Sequence, residues 1–269
     1  MEIITSNKNK KVKNLISLIK KRKNRDDLGV YIVEGPKMFS EAHFSEIIEI
    51  YFSKSFYESE FENDTDLENS LKQRNIDTQI VEILSDEVFK NVSGTDTPQG
   101  VLAVLRQKEY ELEDLLKDNN PLILILENLQ DPGNMGTMLR TGEAAGISGM
   151  LISKNSVDIY NPKTIRSTMG SIFRVPFVYS KDILRDVNIL KDKGINIYCA
   201  HLKAENFYDE KDYKKPTAFV IGNESKGISD KLSNEINNYI KIPMSGKVES
   251  LNAAQAAGIL MYEAKRQRR

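Results

Sequence analysis

The sequence predicts an α/β protein in two alternating units, the larger a parallel sheet covered by helices. Three observations predict it. Short apolar runs, clearest at 122–126 where every residue is Leu or Ile, are apolar on both faces, as strands sandwiched between helical layers must be. Segments of helical periodicity fall between most of these runs. Loops rich in glycine, proline and small polar residues follow three of them, where open α/β sheets place their ligands.

Taken in order, Val12, Leu15, Ile16 and Ile19 recur at i, i+3, i+4 and i+7, which predicts one amphipathic helix over 8–23 with Lys8, Lys10, Lys11, Lys13 and Lys20 to Arg22 mostly on its wet side. Residues 30–34 read as a strand and 36–44 as a helix opened by Pro36. Further strands are predicted at 47–53, 79–84 and 100–105, with helices near 66–74 and 85–92. This unit, 1–106, is a small α/β domain. Residues 107–120, charged and without glycine, read as a partly helical linker carrying Leu112, Leu115 and Leu116. The second domain, 121–269, alternates strands at 122–127, 149–153, 177–180, 195–200, 218–222 and 239–242 with helices near 135–146, 162–173, 182–193, 229–236 and 251–267.

Composition bounds the partners. Apolar residues make 40% and charged residues 29% of the 269, values of a soluble globular protein. No apolar run approaches the roughly 20 residues needed to span a bilayer, the first residues lack a secretory apolar stretch, and Cys199 is the lone cysteine. The expectation is a cytoplasmic protein with no membrane contact. Net charge is −1, but residues 1–25 carry +8, residues 26–120 carry −14 and residues 121–269 carry +5. A basic arm and a mildly basic C-terminal half suit a polyanion; from charge alone, a solvated helix face is the better reading of the arm.

Three loops carry the chemistry. In the first, Asp131-Pro132-Gly133 reads as a turn, Asn134 as the N-cap of the next helix, and Arg140 as lying in that helix's first two turns. An arginine fork there suits a phosphate or a developing oxyanion; a surface pair with Glu143 is the plain alternative. In the second, Gly222 ends a strand and Glu224 follows, either as an acid favoured by a helix dipole or as a partner for Arg140 or a cationic ligand. In the third, Ser250 reads as the N-cap of an Ala/Gly-rich helix in which Gly258, costing about 1 kcal/mol relative to alanine, implies close packing. The phosphate-loop reading fails because Ile228-Ser229 follows Gly227 where that motif needs Lys-Ser/Thr. Gly-x-Gly-x-x-Gly and Gly-x-Ser-x-Gly are absent. His43, His201 and Cys199 are too few for a zinc site, so no metal is predicted, and Cys199 reads as a buried strand residue.

These residues resemble the SpoU/TrmH family of RNA ribose 2′-O-methyltransferases, within the SPOUT superfamily. Asn128, Asp131, Pro132, Asn134, Gly136 and Arg140 match its first motif. Gly222, Glu224 and Gly227 match the second. Ile242, Pro243, Met244, Gly246, Ser250, Leu251 and Asn252 match the third. The first unit resembles the family's substrate-binding domain through Val33-Glu34-Gly35-Pro36 and Thr97-Pro98-Gln99-Gly100-Val101, which favours ribosomal over transfer RNA.

The resemblance implies a SPOUT-type sheet with a C-terminal trefoil knot, against the usual rule that chains are un-knotted. It implies S-adenosyl-methionine held by Gly222, Asn223, Ile242, Met244, Leu251 and Asn252. It also implies a homodimer through the knot region and last helix, and catalysis by Arg140, Asn134, Glu224, Ser250 and Asn252. Lys20, Lys21, Arg22 and Lys23, with Arg140, are the expected RNA contacts. A guanidinium stays protonated at neutral pH, so Arg140 is expected to stabilise developing alkoxide charge and grip a phosphate rather than act as a base. The alternatives left open are a transfer RNA substrate and a non-catalytic RNA-binding protein of the same fold.

Overall fold

The computed structural model describes residues 2–60, 77–93, 95, 97–202 and 204–269. The chain forms two compact units, one containing the described residues of 1–108 together with Tyr160–Phe173, the other containing Glu109–Ile159 and Arg174–Arg269.

The first unit is a five-stranded mixed sheet in the order β1-β4-β3-β5-β2. Its strands are β1 (Ile3–Ile4), β2 (Val30–Glu34), β3 (Ile47–Ser53), β4 (Val81–Leu84) and β5 (Val101–Arg106). β5 runs antiparallel to both β2 and β3, and the other pairings are parallel. Helices α1 (Lys10–Lys20), α2 (Arg22–Leu28), α3 (Pro36–Glu41), α4 (Lys54–Glu60) and α5 (Asp86–Ser93) accompany it. The helix predicted near 66–74 lies outside the described residues.

The single helix predicted over 8–23 is two helices. Lys21 is extended, at φ −122° and ψ 114°. The cause is tertiary: α2 folds back so that the buried Arg25 guanidinium donates to Leu18 O (2.6 Å) and Ile19 O (3.3 Å), carbonyls at the end of α1. Terminal carbonyls need partners from outside the helix ladder, and Arg25 supplies them. Val12, Leu15 and Leu18 are buried in the core formed with β2, β5 and α5. The two motifs of this unit meet where β2 ends and β5 begins. Gly35 N–H donates to Val101 O (2.9 Å), and Glu34 Oε1 accepts from the Thr95 hydroxyl (3.3 Å). Helix α7 (Pro162–Thr168), capped by Asn161, belongs to this unit, and Tyr160 packs against Tyr31 with ring centroids 4.6 Å apart and planes tilted by 36°.

The second unit is a six-stranded sheet in the order β11-β9-β10-β6-β7-β8. Every pairing is parallel. Its strands are β6 (Leu122–Leu126), β7 (Gly149–Ser153), β8 (Phe177–Ser180), β9 (Asn196–Ala200), β10 (Thr217–Ile221) and β11 (Tyr239–Ile240). Helices α6 (Pro132–Ala145), α8 (Ile183–Asp192), α9 (Asp230–Ile236) and α10 (Ala253–Gln267) cover it. β6, β7 and β10 are buried along their whole length, as their apolar sequences, interrupted only at the ends by Ser153 and Thr217, require. The stretch before β6 holds a 3₁₀ turn, Leu112–Leu116, whose Leu115 is fully buried in this core. Cys199 is buried on β9, and desolvation beside Glu127 pushes its thiol up to about 12.

No helix among the described residues is long and apolar enough to cross a membrane.

Candidate active site

The three motif loops leave the carboxyl ends of β6, β10 and β11. β6 and β10 are neighbours, so their loops meet directly. The carboxylate of Glu224 accepts from Gln130 N–H (3.1 Å), Asp131 N–H (3.0 Å) and the Asn134 side-chain amide (3.1 Å). Burial works to raise this carboxyl; the hydrogen bonds, led by Asp131 N–H, outweigh it and hold the group below the usual carboxylate range. Glu224 is therefore a tie between loops. It lies neither in a helix first turn nor against Arg140.

Two predicted caps are corrected. The N-cap of α6 is Asp131, whose side chain accepts from Asn134 N–H at 2.7 Å, with Pro132 at the first helical position. Proline lacks an N–H and has a helix-compatible φ, so what reads as a turn is the opening of the helix. Asn134, relieved of capping, donates to Glu224 and accepts from the Asn252 amide at 2.9 Å. Asn252, not Ser250, caps α10, accepting from Ala254 N–H (2.9 Å) and Gln255 N–H (3.3 Å). One chain of side chains, Glu224–Asn134–Asn252, thus links all three loops. Ser250 is exposed.

The second loop is closed on itself. Asn223 and Gly227 exchange backbone hydrogen bonds of 3.0 and 2.9 Å. Gly227 takes the left-handed conformation, φ +69°, and a Cβ on Gly222 would fall 2.2 Å from the Gly227 carbonyl carbon, so both positions demand glycine. The Asn223 amide donates to Asn128 O at 2.9 Å and fixes this loop to the first.

These pieces enclose a cavity of about 540 Å³. Gly222, Asn223, Glu224, Ile242, Met244, Ser250 and Leu251 line it. Sequence reasoning missed Ala200, His201 and Leu202 in the same wall. Ala200 ends β9 and the other two follow it; β9 lies between β10 and β11, and strand order has no local signature in the sequence. The volume lies within the roughly 300–1,000 Å³ of small-ligand sites. Apolar walls from Leu202, Ile221, Ile228, Ile240 and Leu251, with backbone at a glycine loop, fit a flat heteroaromatic ring joined to a polar tail. Among the described residues no group of three or more His, Cys, Asp or Glu is placed to hold a metal.

Arg140 is not in this cavity. With α6 starting at Pro132, it falls in the third turn, about 12 Å along the axis from the helix start, rather than in the first two. It is exposed. Glu143, the plain alternative partner, is held by Arg174 instead, with Nη2 3.1 Å from Oε2. On the same helix, Thr137 and Thr141, which bracket Arg140 in sequence, line a groove of about 590 Å³ between α6 and α10, together with Leu251, Gly258 and Ile259 among others. A Cβ on Gly258 would meet Thr141 Cγ2 at an ordinary 3.5 Å, so packing within the chain does not require that glycine, contrary to expectation. Lys20 to Lys23 are exposed at the α1–α2 junction of the first unit, with Arg22 Nε 3.2 Å from Asp26.

A wholly parallel sheet with a glycine-lined cavity at its strand ends defines an α/β protein with a site sized for a small ligand. The family model of the SpoU rRNA Methylase family matches residues 121–262, and the chain belongs to that family. Residues 9–103 match the MRM3-like substrate binding domain. The chain is similar to the 23S rRNA (guanosine(2553)-2′-O)-methyltransferase RlmP of Bacillus subtilis, 33% identical over 97% of this chain and 98% of that one. The crystal structure of an AdoMet-bound rRNA methyltransferase from Sinorhizobium meliloti superposes with a TM-score of 0.85, at 28% identity over 98% of this chain and 97% of that one. A structure from Porphyromonas gingivalis assigned to the TrmH family gives 0.77 at 30% identity, covering 95% and 97%.

Proposed function

We propose that this chain methylates a ribose 2′-hydroxyl of RNA, in 23S ribosomal RNA, using S-adenosyl-methionine and no metal. The observation that carries the reading is the convergence of three separate motif loops on one backbone-lined cavity. When bound there, S-adenosyl-methionine supplies a methyl group on a sulfonium. Gly222, Asn223, Ile242, Met244 and Leu251 hold it, and the Glu224–Asn134–Asn252 chain keeps the loops in the binding arrangement, with Asn252 anchoring the third. Arg140 stabilises negative charge developing on the 2′-oxygen and grips an adjoining phosphate. Ser250 is assigned to the ribose side. Lys20 to Lys23 contact the RNA backbone. The match of the first unit to a substrate-binding domain and the full-length similarity to RlmP support ribosomal RNA over transfer RNA. Retention of every motif residue supports an enzyme over a binding protein that has lost its chemistry. The cellular site of such a reaction is the cytoplasm.

The reading includes a C-terminal trefoil knot and a homodimer. β11 lies at the sheet edge, yet the chain leaving it returns to lay α10 against α6, β10 and β6, which supports a threaded path. The position of Arg140 supports the dimer: it is exposed on α6 outside its own chain's cavity, between Thr137 and Thr141 of the α6–α10 groove in sequence, and Leu251 lines both groove and cavity. A second copy seated on that face brings Arg140 of one protomer to the cavity of its partner.

Calorimetry with S-adenosyl-methionine, paired with methyl transfer to 23S RNA, tests the proposal. Arg140→Ala is expected to retain cofactor affinity within about twofold and to lose transfer by about 100-fold or more, the scale on which removing one transition-state donor acts. Wild-type turnover by that variant would refute the assignment.

A further inference from the structure

A second cleft of about 280 Å³ opens on the same sheet edge as the cofactor cavity, at the carboxyl ends of β6, β7 and β8. Lys154, Lys181 and Lys231 line it from three different elements: the turn after β7, the residue after β8 and the second position of α9. All three are exposed, and among the described residues none is paired with a carboxylate. Lys231 sits in the first turn of α9, next to Asp230, and Lys181 immediately precedes Asp182, the cap of α8. Of the two acids in the lining, Glu127 is buried and spent on Ser229, accepting from its N–H (2.7 Å) and hydroxyl (2.6 Å). Asp182 caps α8 through Leu184 N–H (3.2 Å) and Arg185 N–H (3.3 Å). Both carboxylates keep their charge but are fixed on these donors, so the lining sets three mobile cations against two anchored anions.

The two cavities share a wall. Asn128 lines the lysine cleft, Asn223 lines the cofactor cavity, and the 2.9 Å bond from the Asn223 amide to Asn128 O joins them. A volume just under the about 300 Å³ at which whole-ligand pockets begin suits a phosphodiester with its sugar better than a free metabolite. We infer that this cleft is a binding site for the sugar-phosphate backbone of the RNA substrate, holding phosphates next to the nucleotide that is methylated. The inference rests on the proposed RNA methyltransferase reading.

The test compares the triple variant K154Q/K181Q/K231Q with a control, K193Q/K214Q/K215Q, which removes the same charge near the amino ends of β9 and β10. Binding of in-vitro-transcribed 23S RNA is measured by anisotropy from 50 to 300 mM salt, with S-adenosyl-methionine affinity by calorimetry and methyl transfer in parallel. The cleft variant is expected to keep cofactor affinity, to bind RNA about tenfold more weakly near 150 mM salt, and to show a log K against log salt slope shallower by about 1 to 2, at roughly 0.7–0.9 for each phosphate that is no longer neutralised. The control keeps the wild-type slope. Equal slopes for wild type, cleft variant and control, with wild-type methyl transfer intact, overturn this inference alone. Absence of RNA binding and transfer by the wild type overturns the functional reading and this inference together. Should the triple variant lose its fold, the double variant K154Q/K181Q, with an expected slope change of about 1, decides.

Discussion

Glu224 shows how one side chain ties separate loops together at the candidate site. Its three hydrogen bonds all run to the Gln130–Asn134 segment, so its ionisation is coupled to loop order. A carboxyl held below its ordinary range contributes stability above the unfolded value, near 4.3, and loses it as pH falls through the lower folded value. S-adenosyl-methionine affinity should therefore stay flat from pH 8 to about 5 and fall only below about 4; calorimetry across that range reads it, and a midpoint near pH 6 would contradict the assignment. Glu224→Gln should weaken cofactor binding at neutral pH and flatten the acid limb. At the same scale, Cys199 should resist a disulfide reagent at pH 8 in the native protein and react fully once unfolded, since a thiol pushed up to about 12 and buried presents almost no thiolate.

At the scale of the element, the sequence reveals which segments are helix or strand better than where each begins. Asp131-Pro132-Gly133 was legible as a bend, but proline at i+1 of a turn and proline at the first helical position share one φ. Only the Asp131 carboxylate reaching Asn134 N–H decides between them. Ser250 and Asn252 offer two caps for one helix, and the choice falls to the side chain that reaches two free N–H groups. The break at Lys21 has no glycine or proline to mark it, because Arg25 causes it from four residues away through space. Asp131→Ala should cost about 0.5–2 kcal/mol in urea unfolding, while Ser250→Ala should leave stability unchanged. Equal losses would restore the serine as a cap.

On the whole-molecule scale, the parallel sheet and the glycine-rich loops could be read from the chain, whereas the strand order could not. The placement of β9 between β10 and β11, which adds Ala200, His201 and Leu202 to the cavity wall, depends on crossovers that no local pattern encodes. The last residues are equally non-local. Arg268 donates to Tyr213 O, Asn120 O and Lys215 O, each at 2.8 Å, fastening the end of α10 to loops that precede β6 and β10. Arg268→Ala leaves those carbonyls without their charged donor and should cost roughly 2 kcal/mol or more, read from the urea midpoint. The proposed homodimer predicts a mass near twice 30.6 kDa by light scattering. It also predicts recovery of transfer when Arg140→Ala protomers are mixed with protomers disabled at the cofactor cavity, because one site of each hybrid then draws its arginine and its cavity from intact halves.

The most direct measurement is the position of the methyl group. RNA methylated by the protein with labelled S-adenosyl-methionine, taken from a strain lacking the gene, is hydrolysed in alkali, which cleaves beside a free 2′-hydroxyl but not beside a methylated one. The label is expected in alkali-resistant dinucleotides derived from 23S RNA. Label in mononucleotides, on a base, or no label in RNA at all would contradict that expectation.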